Sequence, residues 1–226
     1  MPSSETGPRA EASKRTRDAI VAATVRIVAR EGVAAVTHRR VAAEAGVALS
    51  STTWHFAAKA DILEAALRWT AAQEVERIGA IAERLGSTDF DPSAWADELS
   101  AWLIDQLTTE RDIAVALYRL QVELLGSDEA LEVHREWGKG LRAVGQRVLE
   151  RAPTATPELD VRLVVGTLDG LRMSALNSGD QDLEWVRLAV RRQLQALLGQ
   201  ANAGRIRGSG IQRGPLRTGA GWRCMR

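Results

Sequence analysis

Apolar residues recur along this chain at spacings of three and four, the helical period, and no stretch alternates with period two long enough to make a strand. Ile20, Ala23, Ile27 and Val28 fall on one stripe, widened by Val21 and Val25, and predict a first helix over about 13–31 that ends at Gly32. Thr37 suits the start of a second helix, because its hydroxyl can accept from an unbonded N–H of the first turn. That helix runs to about Ala45, where Gly46 breaks it, and a short third helix follows over about 49–56. Lys59 and Asp61 open a long amphipathic segment to about Leu85, carrying Ile62, Leu63, Ala66, Leu67, Val75, Ile78 and Ile81. Asp91-Pro92 starts another, with proline where its missing N–H costs nothing. Further helices are expected at about 110–125, 128–151, 158–177 and 181–199, so the fold is predicted to be all-α with about nine helices.

Composition narrows the classes of function. With 226 residues, 45% hydrophobic and 26% charged, the chain has enough apolar material for a core, and its alanine, leucine and glutamate favour helix. One cysteine, Cys224, excludes an intramolecular disulfide and a cysteine-based zinc site. No apolar run approaches the roughly 18–20 residues of a membrane helix, and residues 1–18 hold no apolar signal core, so no membrane partner and a cytoplasmic setting are expected. The histidines His38, His55 and His134 are scattered, and there is no Gly-rich phosphate loop, Gly-x-Ser-x-Gly elbow or Asp-rich metal motif. Neither an enzyme nor a metal nor a cofactor is expected. Four segments follow: a disordered arm at 1–12, a small helical domain at 13–58, a larger helical domain at 59–201 and a basic, glycine-rich disordered tail at 202–226. The tail is either inert or adds non-specific affinity for a polyanion.

The stretch from Thr37 to Phe56 carries the most information. A short helix, a glycine-led turn and a second short helix make a helix-turn-helix, whose second helix can enter a major groove. Val41, Ala42 and Ala45 are small enough for the two helices to cross closely, and Val47 plugs the angle between them. Leu49, Ser50, Ser51 and Thr53 are short side chains able to approach base edges or phosphates. The whole chain carries a net charge of only +1, yet nine basic residues face four acidic ones between Arg9 and Lys59, a local excess that suits a polyanion.

These residues resemble the DNA-binding module of the TetR/AcrR family of transcriptional regulators: Thr37, Val41-Ala42, Ala45-Gly46-Val47, Trp54-His55-Phe56, Lys59 and Leu63 match its pattern in order and spacing. The specific match covers about residues 15–67; beyond 70 only helix number, order and length agree. The resemblance implies an N-terminal three-helix reading head followed by a ligand-binding and dimerisation bundle. It implies a repressor that binds a near-palindromic double-stranded operator as a homodimer and is released by a small, largely apolar effector. Thr37 and His38 would then face phosphates, Arg39 a base edge, Leu49, Ser50 and Ser51 the groove, and Thr53, His55 and Lys59 the backbone. Thr53 stands where the family usually has tyrosine, which shortens that contact. Arg39 and Arg40 can also be read as a solvated helix face, and Trp54 and Phe56 are read as core residues rather than groove readers.

Within the larger domain the candidates for an effector pocket are Trp69, Trp95, Trp102, Tyr118, Gln121, His134, Trp137 and Met173. The alternative is that the tryptophans, of which Trp95 and Trp102 share a helical face, are plain core. Asp169 is the conspicuous acid of an apolar helix, and a pairing with Arg172 is the expected use of it. Val164, Leu168, Leu171, Val186, Val190, Leu194 and Leu197 form broad apolar stripes on the last two helices. They are expected either at an intermolecular four-helix bundle, as the resemblance implies, or in packing within one subunit.

Overall fold

The computed structural model describes residues 7–86, 91–149, 156–179 and 182–206. Among them lie nine α-helices and no strand. In chain order they are α1 (Pro8–Glu31), α2 (His38–Ala45), α3 (Leu49–His55), α4 (Lys59–Leu85) and α5 (Pro92–Leu107). Then come α6 (Arg111–Glu123), α7 (Asp128–Leu149), α8 (Pro157–Ser178) and α9 (Glu184–Ile206), with a 3-10 turn at Val33–Ala35. The caps act as the residue types require. Thr37 Oγ1 accepts from the Arg40 N–H at 3.1 Å, Asp91 accepts from the Ser93 N–H at 2.8 Å, and Gly46 takes the left-handed conformation (φ 68°) that stops α2.

Two boundaries differ from expectation. Helix α1 begins at Pro8, inside the segment read as a disordered arm, because proline is tolerated in a first turn and Ala10, Glu11 and Ala12 are strong helix formers. Helix α9 runs to Ile206, past the expected start of the tail. The rest of the arm, 1–6, and of the tail, 207–226, lies outside the described residues.

Two apolar cores hold the helices. The first joins α1, α2 and the start of α4 to α6: Ile20, Ile27, Val28, Val36, Val41, Phe56 and Ile62 pack in one cluster with Leu117 and Leu120. The reading head therefore shares its core with the larger domain. The second gathers Trp95, Leu99, Trp102 and Leu103 of α5 against Leu168 of α8 and Val186, Val190 and Leu194 of α9. Helix α7 approaches its neighbours closely because glycine lets it. A Cβ at Gly140 would stand 2.9 Å from Val75, and one at Gly145 would stand 2.7 Å from Val161.

That second core takes up much of the apolar stripes of the last helices. Leu168, Val186, Val190 and Leu194 are buried within the subunit, Val164 and Leu171 pack against the same cluster, and Leu197 lines an internal cavity. Four of the expected interface residues, Leu168, Val186, Val190 and Leu194, therefore pack within the subunit, while Val164, Leu171 and Leu197 stay half-buried. A different stripe is left uncovered on α8: Leu159, Leu163, Gly166, Gly170 and Met173, all exposed, at spacings of four and three.

Candidate functional site

Helix α3 is short, and its inner side is held by Thr52, fully buried, whose hydroxyl donates to the Leu49 carbonyl at 2.8 Å. That leaves Leu49 (50% exposed), Ser50 and Thr53 facing solvent, with Ser51 half-buried. Thr53 turns its hydroxyl back onto the Ser50 carbonyl at 3.1 Å. Phe56 is core, with the Arg17 guanidinium 5.3 Å above its ring. Trp54 is not: at 74% exposure it corrects the expectation that it packs inside, because a seven-residue helix that buries Thr52 and Phe56 points residue 54 outward. Its ring meets His55 edge-on at 4.5 Å. Burial pushes the His55 imidazole below its ordinary value, and the Arg17 charge adds to the effect.

At the entry to α2 the two adjacent arginines differ. Arg39 is exposed and has no acidic partner among the described residues. Arg40 donates to Glu31 at 2.6 Å and to Glu44 at 3.2 Å, which makes it part of the head's frame. Glu44 also receives Arg26 at 3.0 Å and Arg30 at 2.9 Å. The Arg26 and Arg30 hydrogen bonds hold its carboxyl far down, at about 2. Thr37 is exposed, and His38 and Lys59 are half-buried, with His38 Nδ1 enclosed and lacking a hydrogen-bond partner. The nine residues expected to touch DNA are thus gathered around α2, α3 and the start of α4.

The eight expected pocket residues do not converge on one cavity. Trp95 lines a narrow, half-open apolar cavity of about 80 Å³, with Ile78, Leu99, Leu141, Val144 and Leu168 among its walls and Asp160 at its edge. Gln121, His134 and Trp137 line a second cleft beside Leu67, Leu131 and Asp169. Trp69 packs against the head-side core, and Trp102 belongs to the core between α5, α8 and α9, lining only an open groove. Met173 lies on the uncovered face of α8. Helical spacing located the tryptophans on faces but could not say which faces enclose space.

Tyr118 has another use, in a buried polar cluster that the sequence did not reveal. Arg172, 2% exposed, donates through Nη1 to Glu74 at 2.6 Å and Gln106 at 2.5 Å, through Nη2 to Asp169 at 2.5 Å, and through Nε to the Tyr118 hydroxyl at 2.9 Å. Tyr118 in turn donates to Asp169, whose backbone and side-chain oxygens both lie 3.1 Å away. The expected Asp169–Arg172 pair is present, but Glu74, Gln106 and Tyr118 join it from three other helices. Burial pushes the Glu74 carboxyl up, against the pull of Arg172. Burial likewise raises the Tyr118 phenol to about 12, which keeps it a neutral donor.

Two family models match the chain: bacterial regulatory proteins, tetR family, over residues 20–66, and tetracyclin repressor-like, C-terminal domain, over residues 90–200. Among solved structures, the multidrug binding protein EbrR in complex with imidazole is 31% identical, with TM-score 0.60, covering 78% of this chain and 93% of that one. EbrR is also known in complexes with ethidium, malachite green and proflavin. A member of the TetR family from Streptomyces coelicolor A3 is 30% identical, with TM-score 0.62, covering 79% of this chain and 97% of that one. A transcriptional regulator from Rhodococcus sp. Rha1, 23% identical with TM-score 0.67, covers 81% and 96% and shares the fold. No protein of curated function matches.

Proposed function

The chain belongs to the TetR family of bacterial regulatory proteins, DNA-binding transcriptional regulators with a ligand-binding domain, and from that premise we propose that it is a repressor. It docks as a homodimer on a near-palindromic operator and is released by a small, largely apolar effector. The observation that carries this reading is the outward face of α3, where Leu49 and Ser50 stand exposed beside the unpaired Arg39. Arg39 reaches a base edge, where a guanidinium can bond guanine with two parallel hydrogen bonds. Leu49 meets a thymine methyl, Ser50 and Ser51 lie in the groove, and Thr37, His38, His55 and Lys59 position the head on phosphates. The Thr53 hydroxyl is committed to a helix carbonyl, so the exposed indole N–H of Trp54 replaces it as the phosphate donor on that turn.

Pairing of two subunits uses the uncovered face of α8. Gly166 and Gly170 have nothing within 4 Å of where a Cβ would stand, so their smallness serves no contact inside the subunit. Flanked by exposed Leu159, Leu163 and Met173, they suit close approach by a second α8 across a two-fold axis. Such a dimer sets two α3 helices on successive major grooves, about 34–36 Å apart. The effector enters at the Trp95 cavity, whose aliphatic walls and single indole suit an apolar or aromatic molecule, and the cavity widens to take it.

A gel shift with the intergenic DNA beside the gene tests the reading. The wild-type chain should retard that fragment and protect two half-sites one helical turn apart, while Ser50→Glu, which sets a carboxylate against the groove, should not. A wild-type protein that fails to retard the fragment at low salt removes the repressor reading.

A further inference from the structure

Helix α6 touches both parts of the molecule through adjacent side chains. Tyr118 points into the Arg172–Asp169–Glu74 cluster, while Arg119 reaches the other way. Its Nη1 donates to the Val28 carbonyl at 2.7 Å and the Ala29 carbonyl at 2.8 Å, two carbonyls of the last turn of α1. Val28 O already accepts from the Gly32 N–H at 3.1 Å, so Arg119 takes up its second lone pair, and both carbonyls lie at the negative end of the helix dipole, where a guanidinium is well matched. Arg30 of that turn and Arg26, one turn earlier, hold Glu44 of α2 through their guanidiniums. Polar contacts joined by short stretches of helix backbone therefore lead from Glu74 and Arg172, through Tyr118 and Arg119 of α6, to the end of α1 and on to α2. None of these bonds is needed to fill a core, since Leu117 and Leu120 of the same helix already do that.

We propose that Tyr118 and Arg119 form the joint that ties the buried charge cluster of the effector domain to the reading head, with Arg119 as the positioning residue for α1 and, through Glu44, for α2 and α3. The inference rests on the effector-released regulator reading for its biological use, but the mechanical link is independent of which molecule binds. Rearranging the cluster shifts the Tyr118 end of α6, and the two charge-assisted bonds of Arg119 pass the shift to α1. Cutting those bonds leaves the head folded but uninformed. Two sites are coupled only if one changes the equilibrium of the other, so the link is measurable as an interaction between substitutions.

The experiment is a double-mutant cycle on the full chain, comparing wild type, Tyr118→Phe, Arg119→Met and the double variant by amide exchange at residues 28–36. Tyr118→Phe removes one hydroxyl from the cluster. With Arg119 present it should speed exchange there by about two- to thirtyfold, the range of measured coupling energies. With Met at 119 it should add nothing. Arg119→Lys, a smaller change that retains one donor, should give an intermediate response and guards against misfolding of the methionine variant. Additive effects, or unchanged exchange in Tyr118→Phe, overturn the joint. Anisotropy with a duplex selected from random DNA by the wild-type protein separates the two readings. If the wild type selects nothing, the repressor reading fails while the exchange cycle still decides the link.

Discussion

Arg39 and Arg40 follow one another at the start of α2, and only Arg39 is left without an acidic partner among the described residues. Arg39→Ala should therefore weaken operator binding by about 1–3 kcal/mol, the worth of a two-point contact to guanine, and leave the melting temperature within a degree or so. Unaltered affinity in a gel-shift series would remove Arg39 from the interface. Glu44 makes the opposite prediction. Its carboxyl is held at about 2, well below the usual carboxylate range, so the stability it confers is present above about pH 4.5 and drains away as pH falls toward 2. Glu44→Gln should lower the melting temperature at pH 7 by about 2–4 °C, given half-exposed arginine partners. The difference from wild type should shrink in acid. His55 also has a lowered value, so its contribution is present above its ordinary value of 6.5 and is lost as pH falls through the lowered one. Nuclear magnetic resonance titration of its ring protons reads this directly.

At the scale of elements, the helices were legible because three independent signals agree at most ends: apolar period, cap residue and breaker. Thr37, Gly46, Asp91-Pro92 and Gly126 each sit where the chain changes direction. The head was legible too, since its motif is local. The charge cluster was not. Glu74, Gln106, Tyr118 and Arg172 lie on four helices, separated by up to 98 positions, and each alone looks like an ordinary polar residue of an amphipathic helix. The periodic stripes of α8 and α9 left two uses open for a related reason, because a period gives the face that is apolar and not what covers it. The cluster carries its own prediction. Arg172→Met leaves Glu74, 5% exposed, without its cation and should cost about 3–5 kcal/mol in a chemical melt. Adding Glu74→Leu should return much of that, because an apolar pair of similar volume avoids the buried charge. A single variant as stable as wild type would mean that Glu74 is already neutral.

For the whole molecule, the uncovered α8 stripe and the head must work together in the proposed dimer. Leu163→Glu places a charge on that stripe and touches neither core nor cavity, so it should give a folded monomer by sedimentation, with operator affinity reduced about a hundredfold or more through loss of the second head. A variant that stays dimeric would move the interface elsewhere. The arginine frame around Glu44 has a consequence for how the protein responds to its ionic surroundings. Of the nine cations between Arg9 and Lys59, Arg26, Arg30 and Arg40 are spent on Glu44, Arg15 pairs with Glu11, and Arg17 lies over Phe56. About four remain to displace sodium from the duplex, so a logarithmic plot of affinity against salt should fall with a slope near −3 or −4 per head, about half of what the basic residues alone would suggest. Such a protein holds its site over a wider span of cellular salt than its arginine content implies.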